Sequence, residues 1–489
     1  MLNVFDSYSR ESQDLLHSMK ESGFDHPTVV LEPNGFLPDG VESPFIYFLG
    51  QPKGEKRGRY FNEVPVPDFW EVSGDNSSGK VTYYGQEKAR IVYHAASYKR
   101  IVERLEWLDD KGQVVMVEHY DQYGRKIAVT TCGDQGQYLV TTYFEGDIER
   151  LTENHQTGDL ILTLDHQPMR IFKNRLDYFV FYLEYRGFNL DGLVYNTLAT
   201  SFSISLQLGN KGIKGRDVLV WQEPLHDSLP GNMQLILKSP EIRTKKILIP
   251  QNATYHRALQ LTSQDQHSYF GPLGYLYDFK VKDDIRKDAF VLTNTDQIEA
   301  LTYLVENLPN VTFRVAALTE MSASLLSMVR YPNVVLYQNI SQERIKELLK
   351  VSSIYLDINH YAEVQGIVRK AFEHQQVILA FSHTLHDRHF LSQANIFDQG
   401  KEADMVSRIQ EIYQSVDNYR EAVAQQIAQS SSVEPAVFKA RLQEGIGGQG
   451  EWSEERFILQ RSRRADGVSQ TPSFWKRKND ALWKNQCHL

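Results

Sequence analysis

The chain has 489 residues with 41% hydrophobic and 11% aromatic content, enough for two or three domains with sizeable cores. Its net charge of −9 argues against general nucleic-acid binding. Two cysteines, Cys132 and Cys487, exclude a disulfide framework and fit a reducing cytosol, and no apolar run approaches the roughly 20 residues that span a bilayer.

The opening, MLNVFDSYSRESQDLL, has no basic region followed by an apolar core, so no secretory signal is expected. Residues 2–5 and 28–32 read as short buried strands. Leu15, Leu16 and Met19 between them give a helical face ending near Gly23. This is the first βαβ unit of a Rossmann-like domain, and the loop Glu32-Pro33-Asn34-Gly35-Phe36 follows its second strand.

From about residue 50 to 166 helical spacing gives way to alternation. Glycines fall twelve residues apart at Gly112, Gly124 and Gly136, with Asp109 and Asp121 three positions before the first two. Aspartate opening a tight turn and glycine closing it predict an antiparallel meander of eight-residue strands and four-residue turns. The register could continue to Gly158. The segment is expected to be an inserted β-sheet domain with one covered and one wet face. It is either a neutral insert or a docking surface for a partner, since long sheets with edges need covering.

From 170 the α/β pattern returns. Ile171 to Tyr185 reads as one aromatic-rich helix, followed by strands at 192–195, 217–221 and 246–249. The loops after these strands offer Gln222, Glu223, His226, Asn252 and His256 as candidate ligand-contacting groups. A second α/β domain runs from about 286, with strands at 289–292, 311–316, 334–337, 353–356 and 377–380. Its stretch from Val351 to Phe381 reads strand, loop, helix, strand. His360 and Glu363 lie on the loop at the carboxyl edge, where such sheets bind ligands. Glu363 equally suits a plain helix start. His383, His386 and His389 share a three-residue spacing, but no acidic or cysteine ligand beside them completes a metal site, and none is expected. Beyond 445 the text is irregular and basic, with Trp452, Trp475 and Trp483 interleaved. It suits either a disordered tail or contact with an anionic membrane surface or acidic partner.

Glu363 and Gly366 resemble the opening of the donor motif in GT-B retaining glycosyltransferases of the family-four type. That family carries a second glutamate eight residues after the first, to hold the nucleotide ribose; here the position is Ala371, or Lys370 with a one-residue gap. It also places an arginine after the first strand of the second domain and a lysine shortly beyond, yet no Lys or Arg occurs from Asp288 through Val311. Losing cations that face a diphosphate removes several kcal/mol of transition-state stabilisation, about 3 for each donor by usual magnitudes. The scaffold is kept and the donor grip is lost.

The opening Leu2–Asp6, the motif Pro33-Asn34-Gly35-Phe36-Leu37-Pro38-Asp39 and the run Ser43-Pro44-Phe45-Ile46-Tyr47-Phe48-Leu49-Gly50 resemble the GtfB-type glycosyltransferase-stabilising family of Gram-positive bacteria. That resemblance covers roughly residues 1–440. It implies a non-catalytic, cytoplasmic partner of a GtfA-type transferase. The pair adds the first sugar, usually N-acetylglucosamine, to Ser/Thr of serine-rich repeat adhesins bound for the accessory Sec route. The expected fold is α/β: a GT-B-like pair of Rossmann-like domains (1–49 with 167–285, and 286–444), an inserted antiparallel β-sheet domain (50–166) and a tail (445–489). No cofactor is expected. The acceptor polypeptide would meet Gln222, Glu223, His226, Asn252, His256, His360 and Glu363. The rival is an active GT-B transferase using Arg369 or Lys370 for phosphate.

Overall fold

Apolar runs buried on both faces become parallel strands. Leu2–Phe5, Thr28–Val30, Val41–Glu42, Leu193–Tyr195, Asp217–Val220, Thr244–Ile249 and Phe270–Pro272 form a seven-stranded parallel sheet. Leu2–Phe5 lies between Thr28–Val30 and Leu193–Tyr195. The structure, a computed structural model, describes residues 1–52, 54–95, 97–282 and 284–447, and counts refer to these. The tail read from the sequence, including Cys487, lies outside them from residue 448 on. Among the described residues no helix is long and apolar enough to cross a membrane.

The first crossover is the helix Arg10–Glu21, capped by Ser9, whose side chain accepts the Ser12 N–H. It buries Leu15, Leu16 and Met19, and the chain turns out of it at Gly23 with φ +83°. The inserted sheet has ten strands, antiparallel and in chain order from Glu71–Gly74 to Arg170–Phe172. Its expected turns are present: Gly112, Gly124 and Gly136 have φ of +78°, +77° and +74°. Their N–H groups donate to Asp109, Asp121 and Gly133 carbonyls at 3.0, 2.9 and 2.8 Å. The twelve-residue period stops there. The next reversal is a two-residue turn at Gly146-Asp147 between the paired Glu145 and Ile148, so Gly158 is reached out of register.

One expected element is corrected. The helix predicted from Ile171 begins only at Arg175 and ends at Tyr185. Asn174 caps it by accepting the Asp177 N–H at 2.8 Å. The residues before the cap, Arg170–Phe172, instead pair antiparallel with Leu160–Leu162, so the sheet runs past residue 166. Aromatic spacing alone could not separate the edge strand from the helix; the cap does.

The second lobe is a six-stranded parallel sheet in the spatial order 334–337, 312–317, 288–293, 354–357, 377–381, 396–397. The helix Pro435–Gly447 returns to the first lobe, burying Phe438 and Leu442 in a cluster with Leu248 and Leu273.

The segment after Val41–Glu42 is the joint between the first lobe and the inserted sheet. Phe45 is fully buried against Tyr143 of the sheet and Phe179 of the helix Arg175–Tyr185. The Tyr178 hydroxyl donates to the Pro44 carbonyl at 2.7 Å. Arg186 makes a bidentate pair with Glu42 at 2.7 and 2.9 Å. Burial pushes the Glu42 carboxyl up, but hydrogen bonds from Arg186 and Tyr182 outweigh it and leave it below the usual range.

Candidate functional site

In the second sheet the strand order reverses beside Asp288–Thr293, which lies between Thr312–Ala317 and Ile354–Asp357. The loops leaving the strands at this point flank the crevice where α/β sheets hold ligands. Here the two loops are tied together. Glu299 N–H donates to the Ile358 carbonyl at 2.7 Å, and His360 N–H to the Gln297 carbonyl at 3.0 Å. Ile298 and Asn359 form an antiparallel bridge, and the Tyr361 hydroxyl donates to Gln297 Oε1 at 3.1 Å.

The nearby cations are engaged by the protein itself. Arg369 pairs with Asp14 of the first lobe and with Glu373 at 2.9 Å, and stacks 5.5 Å above the Tyr277 ring. Lys370 Nζ donates to the Gln365 carbonyl at 2.8 Å, and burial pushes its pKa down. Arg10 pairs with Asp387 at 3.1 Å. Glu363 accepts the Val368 N–H at 2.8 Å and so caps the helix Ile367–Glu373 behind it. Burial raises the Glu363 carboxyl above its ordinary range. One carboxylate oxygen of Glu363 thus holds its own helix, while the side chain remains partly exposed.

Gln222 is held more fully. It is 8% exposed. Its oxygen accepts from Asn196 at 2.9 Å, and its nitrogen donates to the Glu11 carbonyl at 2.8 Å and the Tyr275 hydroxyl at 2.6 Å. It is a tie between the first lobe and the segment leading to the second. Glu223, His226, Asn252 and His256 are exposed at the carboxyl edge of the first sheet. Arg257 draws their loops together by donating to the His226 carbonyl at 2.8 Å. His360 belongs elsewhere: its Nε2 lies 2.8 Å from Glu299 Oε2. The three regularly spaced histidines part company. His386 sits between Asp357 Oδ1 at 2.5 Å and the Tyr361 carbonyl at 2.7 Å. His389 meets the Tyr277 hydroxyl at 2.9 Å. His383 lies 3.4 Å from Glu299, the acidic neighbour that its local sequence did not offer.

Sequence reasoning missed a cavity of about 320 Å³ where the loop Glu32–Phe36 meets the inserted sheet. The Phe36 ring stacks on His94 with centroids 3.9 Å apart. A polar chain crosses the wall: His119 Nε2 to Thr130 Oγ1 at 2.9 Å, Thr130 to Thr141 at 2.8 Å, Thr141 to His155 at 2.7 Å. The signal in the sequence was alternation placing these polar groups on the covered face, a departure from the apolar rule. Burial, with Arg104 adding, pushes His119 down to about 4. The unfolded ring titrates near 6.5, so the stability that His119 confers is complete above that pH and is lost as pH falls toward 4. The expected loss is on the order of 2 kcal/mol. Urea unfolding at pH 7.5 and 4.5 checks it: His119→Gln should flatten the difference, and an unchanged pH slope would rule the assignment out.

Family models match most of the chain: the GtfB N-terminal domain over 2–48, the GtfB middle domain over 70–173, the GtfB third domain over 175–261 and the GftB/GlyA-F C-terminal domain over 289–426. A Streptococcus gordonii protein, the UDP-N-acetylglucosamine–peptide N-acetylglucosaminyltransferase stabilizing protein GtfB, is 48% identical over 450 residues, 92% of this chain and 100% of its own length. The protein of the same name from Streptococcus pneumoniae is 44% identical over 449 residues, again 92% and 100%. A chain in the crystal structure of a GtfA/B complex bound to UDP and GlcNAc superposes with a TM-score of 0.87 at 47% identity, covering 91% of this chain and 99% of that one. Four domain models in succession and relatives matched along their whole length place this chain in the GtfB family of glycosyltransferase-stabilizing proteins.

Proposed function

We propose that this chain is the non-catalytic, stabilising and acceptor-binding subunit of a protein O-glycosyltransferase, working with a GtfA-type catalytic partner that supplies N-acetylglucosamine from its UDP form. The observation that carries this reading is the state of the donor crevice. Its loops are hydrogen-bonded to each other, no Lys or Arg stands from Asp288 through Val311, and Arg369 and Lys370 already have partners. A diphosphate needs cations or helix-end amides. The rival role for Arg369 or Lys370 as a phosphate grip would require breaking their existing bonds.

The acceptor is a Ser/Thr-rich polypeptide, of the serine-rich repeat adhesin class, handled in the cytoplasm or at its membrane face before export by the accessory Sec route. Its binding surface is the exposed set Glu223, His226, Asn252 and His256 at the carboxyl edge of the first sheet. The partner docks on the inserted sheet. Support comes from its terminal strand Arg170–Phe172, an edge with Ile171 60% exposed beside an equally exposed Met169.

UDP-N-acetylglucosamine titrated into the chain alone is expected to show no binding up to about 1 mM. Co-expression with the partner should yield transfer to a Ser/Thr-rich polypeptide that neither chain supports at the same rate alone. Micromolar donor binding by this chain, or transfer without a partner that disappears in Lys370→Ala, would overturn the proposal.

A further inference from the structure

We propose that Glu299, His360 and His383 form a zinc site that clasps the loops over the former donor crevice. One ligand atom from each lies within 4.8 Å of the others. Glu299 Oε2 is 2.8 Å from His360 Nε2 and 3.4 Å from His383 Nε2. Around a tetrahedral zinc with bonds near 2.0–2.1 Å, ligand atoms stand about 3.3 Å apart. The two Glu299 contacts need change by only a few tenths of an ångström to reach that spacing, and the two imidazole nitrogens lie within 4.8 Å of each other. Two imidazoles and one carboxylate favour zinc over the oxygen-preferring magnesium and calcium.

The three groups come from three loops at the carboxyl edge of neighbouring strands: after Asp288–Thr293, after Ile354–Asp357 and after Val377–Phe381. Backbone pairing fixes two of them before any ion arrives, through Glu299 N–H to Ile358 and His360 N–H to Gln297. The third is steadied by its neighbour, since Thr384 Oγ1 donates to the Asp357 carbonyl at 2.8 Å. Such pre-organisation is what metal sites need and ordinary surface pairs lack. The side chains are 23%, 33% and 28% exposed, enough for entry and for a water in the fourth position. With an ion in place, the loops of the crevice become cross-linked. The result is independent of whether a transferase partner is bound.

The test uses the full-length protein, stripped with chelator and titrated calorimetrically with zinc chloride, with magnesium and calcium chloride as controls. One zinc per chain at micromolar affinity or tighter is expected. Amide exchange should slow at 293–299 and 358–366. Glu299→Gln and His383→Ala should each weaken binding by tenfold or more, while His166→Ala, an exposed histidine in a loop of the inserted sheet, leaves it unchanged. Cobalt in place of zinc should give the intense visible bands of a four-coordinate site, absent in His383→Ala. No zinc binding below about 1 mM, or binding equally strong in both variants, overturns the proposal. The second outcome would place the ion elsewhere on the chain.

Discussion

Replacing Asp217 with alanine is expected to cost about 3–5 kcal/mol of stability, the penalty for stranding one partner of a buried ion pair. Asp217 is fully buried and Arg243 3% exposed. Both guanidinium contacts to the carboxylate measure 2.9 Å. Asp217 also accepts the Leu193 N–H at 2.8 Å and the Ser205 hydroxyl at 2.6 Å. It therefore fastens Asp217–Val220 to the neighbouring strand and to the helix Thr200–Asn210. Alanine leaves the charge of Arg243 in a dry site with only the Ile213 and Leu190 carbonyls for company. The double variant Asp217→Leu with Arg243→Met should recover most of the loss, because apolar groups of similar size remove the uncompensated charge. Urea unfolding followed by fluorescence measures both. A single-variant loss under about 1 kcal/mol would mean that water or a backbone shift compensates the arginine.

Gly35→Val should unseat the inserted sheet. A Cβ at this position would lie 2.8 Å from Asp121 Cβ and 2.9 Å from Asp121 Cα, with Ile127 Cδ1 at 3.0 Å. Asp121 opens the hairpin turn closed by Gly124 and is pinned by its own turn, so it cannot retreat freely. The same contact carries two hydrogen bonds: Gln122 N–H to the Gly35 carbonyl at 3.0 Å and Gln122 Nε2 to the Leu37 carbonyl at 2.8 Å. Overpacking at about 1–3 kcal/mol and two weakened hydrogen bonds at about 1 kcal/mol each sum to roughly 3–5 kcal/mol. Hydrogen exchange should rise in the strands that wall the cavity, and recovery of the chain in complex with the proposed transferase partner should fall. Gly231→Ala, where nothing lies within 4 Å of the added carbon, is the neutral control. Equal effects from the two substitutions would remove the proposed role of this contact.

The two predictions explain why parts of the molecule were legible in one dimension. Runs such as Val377–Phe381 are buried on every side, and short stretches of apolar residues announce that locally. The turns at Gly112, Gly124 and Gly136 require positive φ, a demand written into residue type. The missing cations from Asp288 through Val311 are likewise a local fact. The Pro33-Asn34-Gly35-Phe36 motif was visible as a signature. Its reason was not, because the hairpin it docks against lies some 85 residues away.

Position along the chain leaves side-chain partners undecided. Gln222 stands at a strand end, where ligands usually bind, yet its polar atoms are held by Asn196, Glu11 and Tyr275. A strand-end position says where a side chain starts, not what it bonds. Histidine spacing rightly carries no weight: residues three apart share a surface only on a helix, and this segment is largely loop.

The sequence by itself determined the two parallel sheets, the meander between them and the absence of donor-binding cations, since each depends on periodicity or residue type within a short window. Tertiary structure alone decided which polar groups stay free, where the cavity under the meander opens, and that Glu299 meets a histidine 61 residues further on. Those outcomes depend on which strands become neighbours, and neighbours in a parallel sheet are chosen by long crossovers whose pairing no local pattern encodes.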